Sequence, residues 1–359
     1  MSSDGRAKKR EYSRRDFLKN SAAVSGLAIA SSPYLHGAAR NRDGETGSGP
    51  KNVQPSRLAD PLIDTDTPRF DYFASAAVPF GMVALSPDTR HGRLWNAGYR
   101  YGDDRIISFS HVHNVQMGGI PVMPVTGECR GHRGLKANGS PFSHDDEEIQ
   151  LGYHRVTLDR YDITAELTAT CRTGLHRYTF PECTQGHLLF DLSATMGPNE
   201  MQAAEARRMN GREVEGCSVM APTVRRKKPF TVYFVARVDT PFDDFAGWKQ
   251  APGGEGRHLV EPGDGHIEGP QSGFYLTYRD LQDGTPVRLK VGISYVSTEQ
   301  ARLNLDTELP GWNVEETRRQ ARAAWDDYLG RIEVRGGSRQ QRVKFYTDLM
   351  HTAIGRRIF

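Results

Sequence analysis

The stretch Ile163-Thr164-Ala165-Glu166-Leu167-Thr168-Ala169-Thr170-Cys171 alternates apolar with polar side chains. In an extended chain its apolar members share one face and its Thr and Glu the other, because successive side chains of a strand point to opposite faces. The stretch therefore predicts an antiparallel strand that is buried on one face only. The same alternation recurs at 287–293, and β-rich runs bounded by Gly, Pro and Asp lie at 231–238, 274–278 and 187–192.

Many such strands without alternating helices predict a mainly β fold, a sandwich of packed antiparallel sheets. A β-sandwich can extend to about 250 residues as one domain. We assign the sandwich to residues 60–311 and a helical linker to residues 312–359, where the period of the apolar residues changes.

Two helices are predicted in that linker. Asn313 is placed to cap a helix over 314–329, which has acidic residues in its first turn. A short strand-like run follows at 332–334. Ser338 and Gln341 have the spacing of a capping box, which predicts the start of the second helix.

The amino terminus carries an export signal. Ser13-Arg14-Arg15-Asp16-Phe17-Leu18-Lys19 has the twin-arginine pattern, and the apolar run at 21–30 is too short to span a bilayer. We predict a signal peptide over 1–39 and a flexible linker over 40–59, which is rich in Gly, Ser and charge. The expected location is periplasmic or extracellular, without a membrane partner once the signal is removed. The alternative is a basic tail that precedes a cytosolic domain.

The positive charge is concentrated in that signal. The chain holds 47 Lys and Arg against 44 Asp and Glu, and the signal alone carries seven of the former and three of the latter. The remainder is near neutral, so it shows no basic stripe that would indicate a nucleic-acid partner. The basic run at 225–228 lies between two prolines and is typical of a solvated loop.

The four cysteines are Cys129, Cys171, Cys183 and Cys217, and their spacing matches no zinc-site pattern. Two interpretations are open. Cys171 and Cys183 flank a predicted hairpin and could form a disulfide in an exported protein. Buried free thiols are the alternative.

Residues 78–113 concentrate aromatic, hydroxyl, carboxylate and imidazole groups. Trp95, close to Gly98, is either a flat face for a sugar ring or an ordinary core tryptophan. His111 and His113 are two apart, so in a strand they project to one face as metal ligands, acid–base groups or donors to sugar hydroxyls. They could instead be hydrogen-bonded into a domain seam. Without a third ligand of clear spacing, the non-metal interpretation is favoured.

Two acidic runs are candidates for catalytic groups, Asp103-Asp104 and Asp145-Asp146-Glu147-Glu148. Paired carboxylates are what a glycosidase requires. Acidic runs beside Gly or Ser are, however, typical of solvated turns. No catalytic residue is therefore assigned in this chain.

The ordered blocks of this sequence resemble the amino-terminal domain of glycoside hydrolase family 92, the calcium-dependent exo-α-mannosidases. Three of them are Ser86-Pro87-Asp88-Thr89, Gly98-Tyr99-Arg100-Tyr101 and Phe109-Ser110-His111-Val112-His113. Further blocks in family order lie at 77–82, 122–127, 142–144, 152–154, 165–170, 176–181, 291–297 and 345–351.

The resemblance implies an antiparallel β-supersandwich, similar in fold to galactose-mutarotase-like domains, joined by helices to an (α/α)6 barrel beyond this chain. It implies inverting removal of terminal α-mannose, with the general acid, the general base and the calcium all in that barrel. The expected partners are a mannose-containing glycan and the barrel. The sandwich of the family gives a tryptophan to the sugar pocket, and Trp95 matches it. His111 and His113 are further substrate-binding candidates, and no metal ligand is expected in this chain.

Two segments depart from the family pattern. Residues 114–120 lack the Ser-Gly-containing loop and Gly-Asp pair that commonly follow the histidine block, and 60–65 differ from the usual Asn-Pro-Phe-Ile-Gly-Thr. These departures indicate a divergent subfamily. The leading hypothesis is the sandwich part of an exported α-mannosidase, inactive as this chain alone. The alternatives are a stand-alone, non-catalytic carbohydrate-binding module and a metalloenzyme built on His111 and His113.

Overall fold

The structure is a computed structural model that describes residues 54–66, 73–90, 98–114, 117–195, 200–223, 226–261 and 263–355. The predicted signal peptide, most of the predicted linker and Trp95 lie outside the described residues. Within these ranges antiparallel strands build two large sheets and two small ones. The mainly β, antiparallel fold that the sequence predicts is therefore confirmed.

Strands are numbered in chain order. In the described part of the chain, the first large sheet has seven strands, which pair in the order β1 (Ser86–Asp88), β3 (Ser108–Ser110), β6 (Val122–Thr126), β12 (Cys183–Phe190), β19 (Gly273–Leu281), β16 (Asp244–Gln250) and β17 (Arg257–Val260). The second has nine described strands, in the order β18 (His266–Glu268), β13 (Met201–Asn210), β14 (Glu213–Met220), β15 (Phe230–Val238), β20 (Thr285–Ser294), β11 (Thr173–Phe180), β10 (Ile163–Ala169), β9 (Tyr153–Leu158) and β8 (Glu148–Gln150). Two short antiparallel pairs are also described: β2 (Arg105–Ile106) with β7 (Ser140–Pro141), and β4 (Val112–Asn114) with β5 (Met117–Gly119).

The described α-helices are α1 (Leu135–Asn138), α2 (Thr298–Glu308), α3 (Val314–Leu329) and α4 (Arg339–Ile354). Short 3-10 turns lie at Pro55–Arg57, Gly131–Arg133 and His144–Asp146. None of the described helices is both long enough and apolar enough to cross a membrane.

The main apolar core lies between the two large sheets. Its members include Ile163, Ala165 and Leu167 of β10, together with Phe190 and Phe274 of the facing sheet. The three β10 residues are the apolar positions that the alternation in the sequence placed on one face. Each large side chain buried here stabilises the fold by roughly 1.5–3 kcal/mol.

The prediction that β10 is buried on one face only is wrong. Thr168 and Glu166, on the opposite face, are 0% and 7% exposed. Helix α3 covers this outer face of the nine-stranded sheet, where the Arg318 guanidinium lies 3.7 Å from the centre of the Tyr153 ring. Tyr153 in turn donates a hydrogen bond to Glu166 (2.7 Å). The polar side chains of β10 are therefore satisfied by partners beneath a helix.

Helix α2 covers the same outer face farther along the sheet, and the sequence patterns did not predict it. It begins with Ser297, whose hydroxyl accepts from the Gln300 amide, a normal N-cap. It packs over Gly292 of β20, where an added β-carbon would lie 2.8 Å from that of Leu305. The helix thus lies within the stretch assigned to the sandwich.

The two helices predicted in the linker are confirmed. The Asn313 side chain accepts from the Glu316 amide at the start of α3, and Ser338 and Gln341 form the capping box of α4. The strand-like run at 332–334 is wrong, because these residues belong to no strand and Ile332 is 47% exposed.

Two other predictions from the sequence need correction, one about the linker and one about the basic run. Residues 54–59, inside the predicted linker, pack against the fold: the Ser56 amide donates to Asp326 of α3 (3.0 Å). Of the basic run, Lys227 and Lys228 are exposed as predicted. Arg226, however, is half-buried, lies 5.1 Å from the centre of the Phe230 ring and donates to a backbone carbonyl.

A disulfide between Cys171 and Cys183 is excluded. These residues lie at opposite ends of β11, whose eight residues extend over about 26 Å, whereas bridged Cα atoms lie within about 7 Å. All four cysteines, each in the described part of the chain, are free. Cys129 is buried and the other three are half-buried, so the free-thiol interpretation is correct and full burial is not.

Candidate functional site

One polar cluster lies where β1 pairs with β3, with Asp88 opposite Ser108. Residues two apart on a strand share a face, so the hydroxyls of Ser108 and Ser110 both donate to Asp88 Oδ2. His113 Nε2 lies 2.7 Å from Asp88 Oδ1. Asp88 is 0% exposed, and these donors replace the water that a buried carboxylate would otherwise require.

His113 is held from both sides of its ring. Its Nδ1 donates to the carbonyl of Ala84 (2.5 Å), and its Nε2 faces Asp88. The residue is 2% exposed. Its imidazole therefore ties the segment before β1 to the buried carboxylate.

His111 belongs to a separate chain of hydrogen bonds. Its Nδ1 donates to the carbonyl of Ile120 (2.7 Å), so its Nε2 accepts from His176 Nε2 (2.9 Å). His176 Nδ1 then accepts from the hydroxyl of Tyr178 (2.7 Å). In this series of hydrogen bonds only the Ile120 carbonyl must accept. It therefore sets the direction of every other bond in the series.

The imidazoles of His111 and His176 are both kept neutral. Burial lowers the pKa of His111 to about 4 and lowers the pKa of His176 well below its usual range. His111 and His113 thus have different partners, although both lie inside the protein. The sequence patterns did not single out His176 and Tyr178 as site residues, although they are two residues apart, like His111 and His113. Both lie on β11.

The segment that carries Trp95 lies outside the described residues, but the residues on either side of it are described. The amides of Thr89 and Arg90 donate to the carbonyl of Gly98 (2.7 and 2.9 Å). Asp103 accepts from the Thr89 hydroxyl (2.8 Å) and from Arg90 Nε (2.5 Å). Burial would raise the pKa of Asp103, but the bonds from Arg90 and Thr89 outweigh it and lower that pKa.

Glu147 is the centre of a second polar cluster. Both of its oxygens accept from the hydroxyl of Tyr99 (3.1 Å each), and Oε2 accepts from His144 Nδ1 (2.6 Å). His154 Nε2 lies 3.0 Å from Oε1, a contact that is not aligned as a hydrogen bond. Burial would raise the pKa of Glu147, but His144 and His154 outweigh it and hold that pKa at about 2.

The acidic run that contains Glu147 is therefore only partly a solvated turn. Asp145 and Asp146 are exposed, as the sequence predicts. The Glu147 side chain is 3% exposed, which the run of four acidic residues did not indicate. The distinguishing signal is the nearby His144, since a buried carboxylate needs such a donor.

Ser75, His154 and Glu147 have the connectivity of a hydrolytic triad. Ser75 Oγ lies 2.8 Å from His154 Nδ1, whose other nitrogen faces Glu147. Ser75 and His154 are 2% and 0% exposed, so no substrate reaches the hydroxyl. The arrangement holds elements together and does not provide a nucleophile.

The described residues do not fit a metal centre. Among them, no group of three or more His, Cys, Asp or Glu side chains is arranged to hold a cation. The polar clusters around Asp88 and Glu147 instead have their oxygens occupied by hydroxyl and imidazole donors. We therefore assign no calcium ligand to this part of the chain.

A pocket of about 420 Å³ lies where α3 meets the sandwich. It is bounded by the segment before β1, the turn after β10 and one face of the helix. Its lining mixes apolar side chains with a polar rim, and it consists of Val78, Pro79, Phe80, Ala169, Thr170, Cys171, Thr317, Gln320, Ala321, Ala324, Asp327, Tyr328 and Arg331.

Comparison with known families gives two adjacent matches. Residues 58–294 match the family model described as glycosyl hydrolase family 92 N-terminal domain. Residues 300–359 match the one described as glycosyl hydrolase family 92 catalytic domain. The gap between them, residues 295–299, includes the first two residues of α2.

Three individual proteins show the same likeness. An uncharacterized secreted glycosidase of Arthroderma benhamiae is 25% identical over 290 residues, which cover 74% of this chain and 37% of that protein. A family GH92 α-mannosidase from Bacteroides thetaiotaomicron is 25% identical, with a TM-score of 0.76 over 87% of this chain and 42% of its own. A second GH92 glycosyl hydrolase is 26% identical, with a TM-score of 0.72 over 82% of this chain and 40% of its own. The chain thus spans less than half the length of each of these proteins.

Proposed function

The chain belongs to glycosyl hydrolase family 92, and from this premise we propose that it is the carbohydrate-recognising amino-terminal part of an exported, inverting α-mannosidase. The proposed substrate is the terminal α-mannose of a glycan or glycoprotein. The observation that carries this proposal is that three separate parts of the chain meet beside Arg90 and Gly98, which flank the segment with Trp95. Asp103 accepts from Arg90, Asp88 lies against Gly98, and Glu147 accepts from Tyr99, the residue after Gly98.

We propose that Trp95 meets the sugar from this segment. An indole offers a flat apolar face to a pyranose while its N–H still donates. His111 and His113 were candidates for direct contact, but they are 0% and 2% exposed in this chain. We therefore propose that they support the site from beneath, through Ile120 and Asp88.

We propose that hydrolysis requires catalytic groups other than those of the described residues. Their buried carboxylates are engaged: Asp103 with Arg90, Glu147 with Tyr99 and His144. In a longer protein, the helical barrel of the family would supply the general acid, the general base and the calcium. The match of residues 300–359 to the catalytic-domain model supports an enzyme over a stand-alone binding module.

Calorimetric titration of this chain with methyl α-mannoside tests the proposal. Binding by the unaltered chain and its loss in Trp95→Ala are expected, whereas Met209→Ala, at an exposed position on β13, should bind normally. Turnover of an aryl α-mannoside by the same preparation is expected to be undetectable. Hydrolysis that disappears on changing a carboxylate within the chain, or equal binding by the Trp95 variant, would refute the proposal.

Export is proposed to follow the twin-arginine route. The secreted glycosidase of Arthroderma benhamiae supports an extracytoplasmic location in general terms. Replacing Arg14 and Arg15 by Lys should retain the protein in the cytoplasm of a bacterial host with this pathway. Unchanged export of that double variant would contradict the route.

A further inference from the structure

We propose that Glu147 is a positioning residue of the sugar site, one that fixes residues 98–101 through Tyr99 and His144. The inference rests on the proposed function. Glu147 lies 49 positions beyond Gly98 in the sequence, and none of the comparisons assigns it a role. Its side chain is nearly enclosed, so it does not act by touching the sugar.

The first contact fixes Tyr99. Its hydroxyl lies 3.1 Å from both oxygens of Glu147. Its ring is 0% exposed and stacks on Phe73, with the ring centres 4.2 Å apart. Glu147 therefore holds the end of a ring whose face is already packed. Since Tyr99 follows Gly98 directly, this contact fixes the backbone where the chain returns from the segment with Trp95.

The second contact fixes Tyr101 through His144. His144 Nδ1 donates to Glu147 (2.6 Å), and Nε2 donates to the carbonyl of Tyr101 (2.8 Å). The two rings also stack, with centres 4.0 Å apart and planes inclined by 11°. A single carboxylate thereby orients both the backbone and the side chain of Tyr101.

The third contact joins Glu147 to the nine-stranded sheet. His154, on β9, lies against Oε1, and its other nitrogen contacts Ser75. The Ser75 carbonyl accepts from the amide of Gly152, just before β9. The carboxylate therefore links residues 98–101 to the nine-stranded sheet. A site held by such supports keeps its geometry within the small tolerance that binding requires.

The arrangement has a pH signature, because both nitrogens of His144 face acceptors and both must carry a proton. The groups that face His144 are Glu147, the Tyr101 carbonyl and ring, Asp145 on its own turn and the edge of Phe142. Glu147 raises the pKa of His144. As the pH rises through that pKa, His144 loses one of its two protons. The remaining proton stays on Nδ1, opposite the carboxylate, so the bond from Nε2 to the Tyr101 carbonyl is lost.

The test is calorimetric titration of the full chain with methyl α-mannoside between pH 5 and pH 8. Glu147→Gln is expected to bind about tenfold more weakly at pH 5. The pH at which affinity falls should also move down, because the amide no longer stabilises the imidazolium. Glu148→Gln is the matched control. Its side chain pairs with Arg318 and Arg155 and contacts neither Tyr99 nor His144.

The outcomes separate the two proposals. If the unaltered chain does not bind, the proposed function fails and this inference fails with it. If the unaltered chain binds and Glu147→Gln binds equally with the same pH profile, this inference alone is overturned. If Glu147→Gln does not fold, Tyr99→Phe removes only the hydroxyl contact and should weaken binding roughly threefold. Unchanged affinity of that variant would also overturn the inference.

Discussion

Gly152 packs directly against Ala321, so a β-carbon on Gly152 would lie 2.7 Å from the β-carbon of Ala321. This contact lets helix α3 approach the edge of the sheet near β9 closely enough to cover Thr168 and Glu166. The Gly152 carbonyl also accepts from the Thr168 hydroxyl (2.8 Å). The same glycine thus serves both the packing and the buried polar groups of the outer face.

Gly152→Ala should therefore destabilise the fold. Its φ of +84° costs an alanine roughly 1–2 kcal/mol, and the overlap with α3 adds roughly 1–3 kcal/mol. Urea unfolding measures the total. Gly284→Ala is the matched control, because φ there is +72° and no atom lies within 4 Å of an added β-carbon. Equal losses in the two variants would show that the helix contact is unimportant.

The buried Lys290 should make the unfolding free energy depend on pH in the alkaline range. Its ammonium donates to the Leu309 carbonyl beyond α2 (2.6 Å) and lies 4.0 Å from the centre of the Trp312 ring. Burial, with nearby Arg237, lowers the pKa of Lys290 to about 8. Between pH 8 and pH 10 the unfolded chain holds this proton and the native one releases it, so the native state gains stability as the pH rises.

The measurement compares unfolding free energies of the unaltered chain and Lys290→Met at both pH values. The difference between them should shift in favour of the unaltered chain by about 2–3 kcal/mol from pH 8 to pH 10. A difference that stays constant would mean that the amine keeps its proton throughout.

Glu147 predicts a loss of stability in acid. Its pKa is held at about 2, below the usual value of 4.5, so its contribution is present above pH 4.5 and declines as the pH falls toward 2. The stability advantage over Glu147→Gln should shrink by about 2 kcal/mol between pH 5 and pH 3. Thermal unfolding of both proteins across this range checks the trend, and parallel curves would contradict it.

The protonation states of the histidines can be observed directly. At pH 5.5, nitrogen-15 NMR should show His111 and His176 as neutral rings, with protons on Nδ1 and Nε2 respectively. Their low pKa values follow from burial without a carboxylate partner. His144, whose pKa Glu147 raises, should be doubly protonated in the same spectrum. Protonation of His111 near pH 6 would mean that water reaches its imidazole between His176 and Ile120.

Several local features could be predicted because their causes are local. The alternation at 163–171 placed the core face of β10 correctly, since a period of two follows from strand geometry alone. Asn313 and Ser338 cap their helices as predicted, because a cap depends on residues within one turn. Helix α2 was missed although its signal is also local, since Ser297 and Gln300 have the same spacing as Ser338 and Gln341.

The buried roles of polar residues could not be predicted in the same way. Glu147 stands in an acidic run that is typical of solvent, and its environment depends on Tyr99 and His154 from other blocks. Glu166 and Thr168 have the alternation of a half-exposed strand, yet α3 returns from about 150 residues later to cover them. No local pattern records such a partner, because burial is set by the path of the whole chain.

The sequence by itself determined the strand and helix patterns, the mainly β class and the membership in family 92 through its ordered blocks. The tertiary structure alone decided which polar groups are enclosed. Asp88 is buried beside Ser108 and Ser110, and His111 is buried beside His176. Glu147 is enclosed by Tyr99, His144 and His154. The physical reason is that secondary structure follows from period and local capping. A buried charge, in contrast, is stable only where distant segments bring donors within about 3 Å.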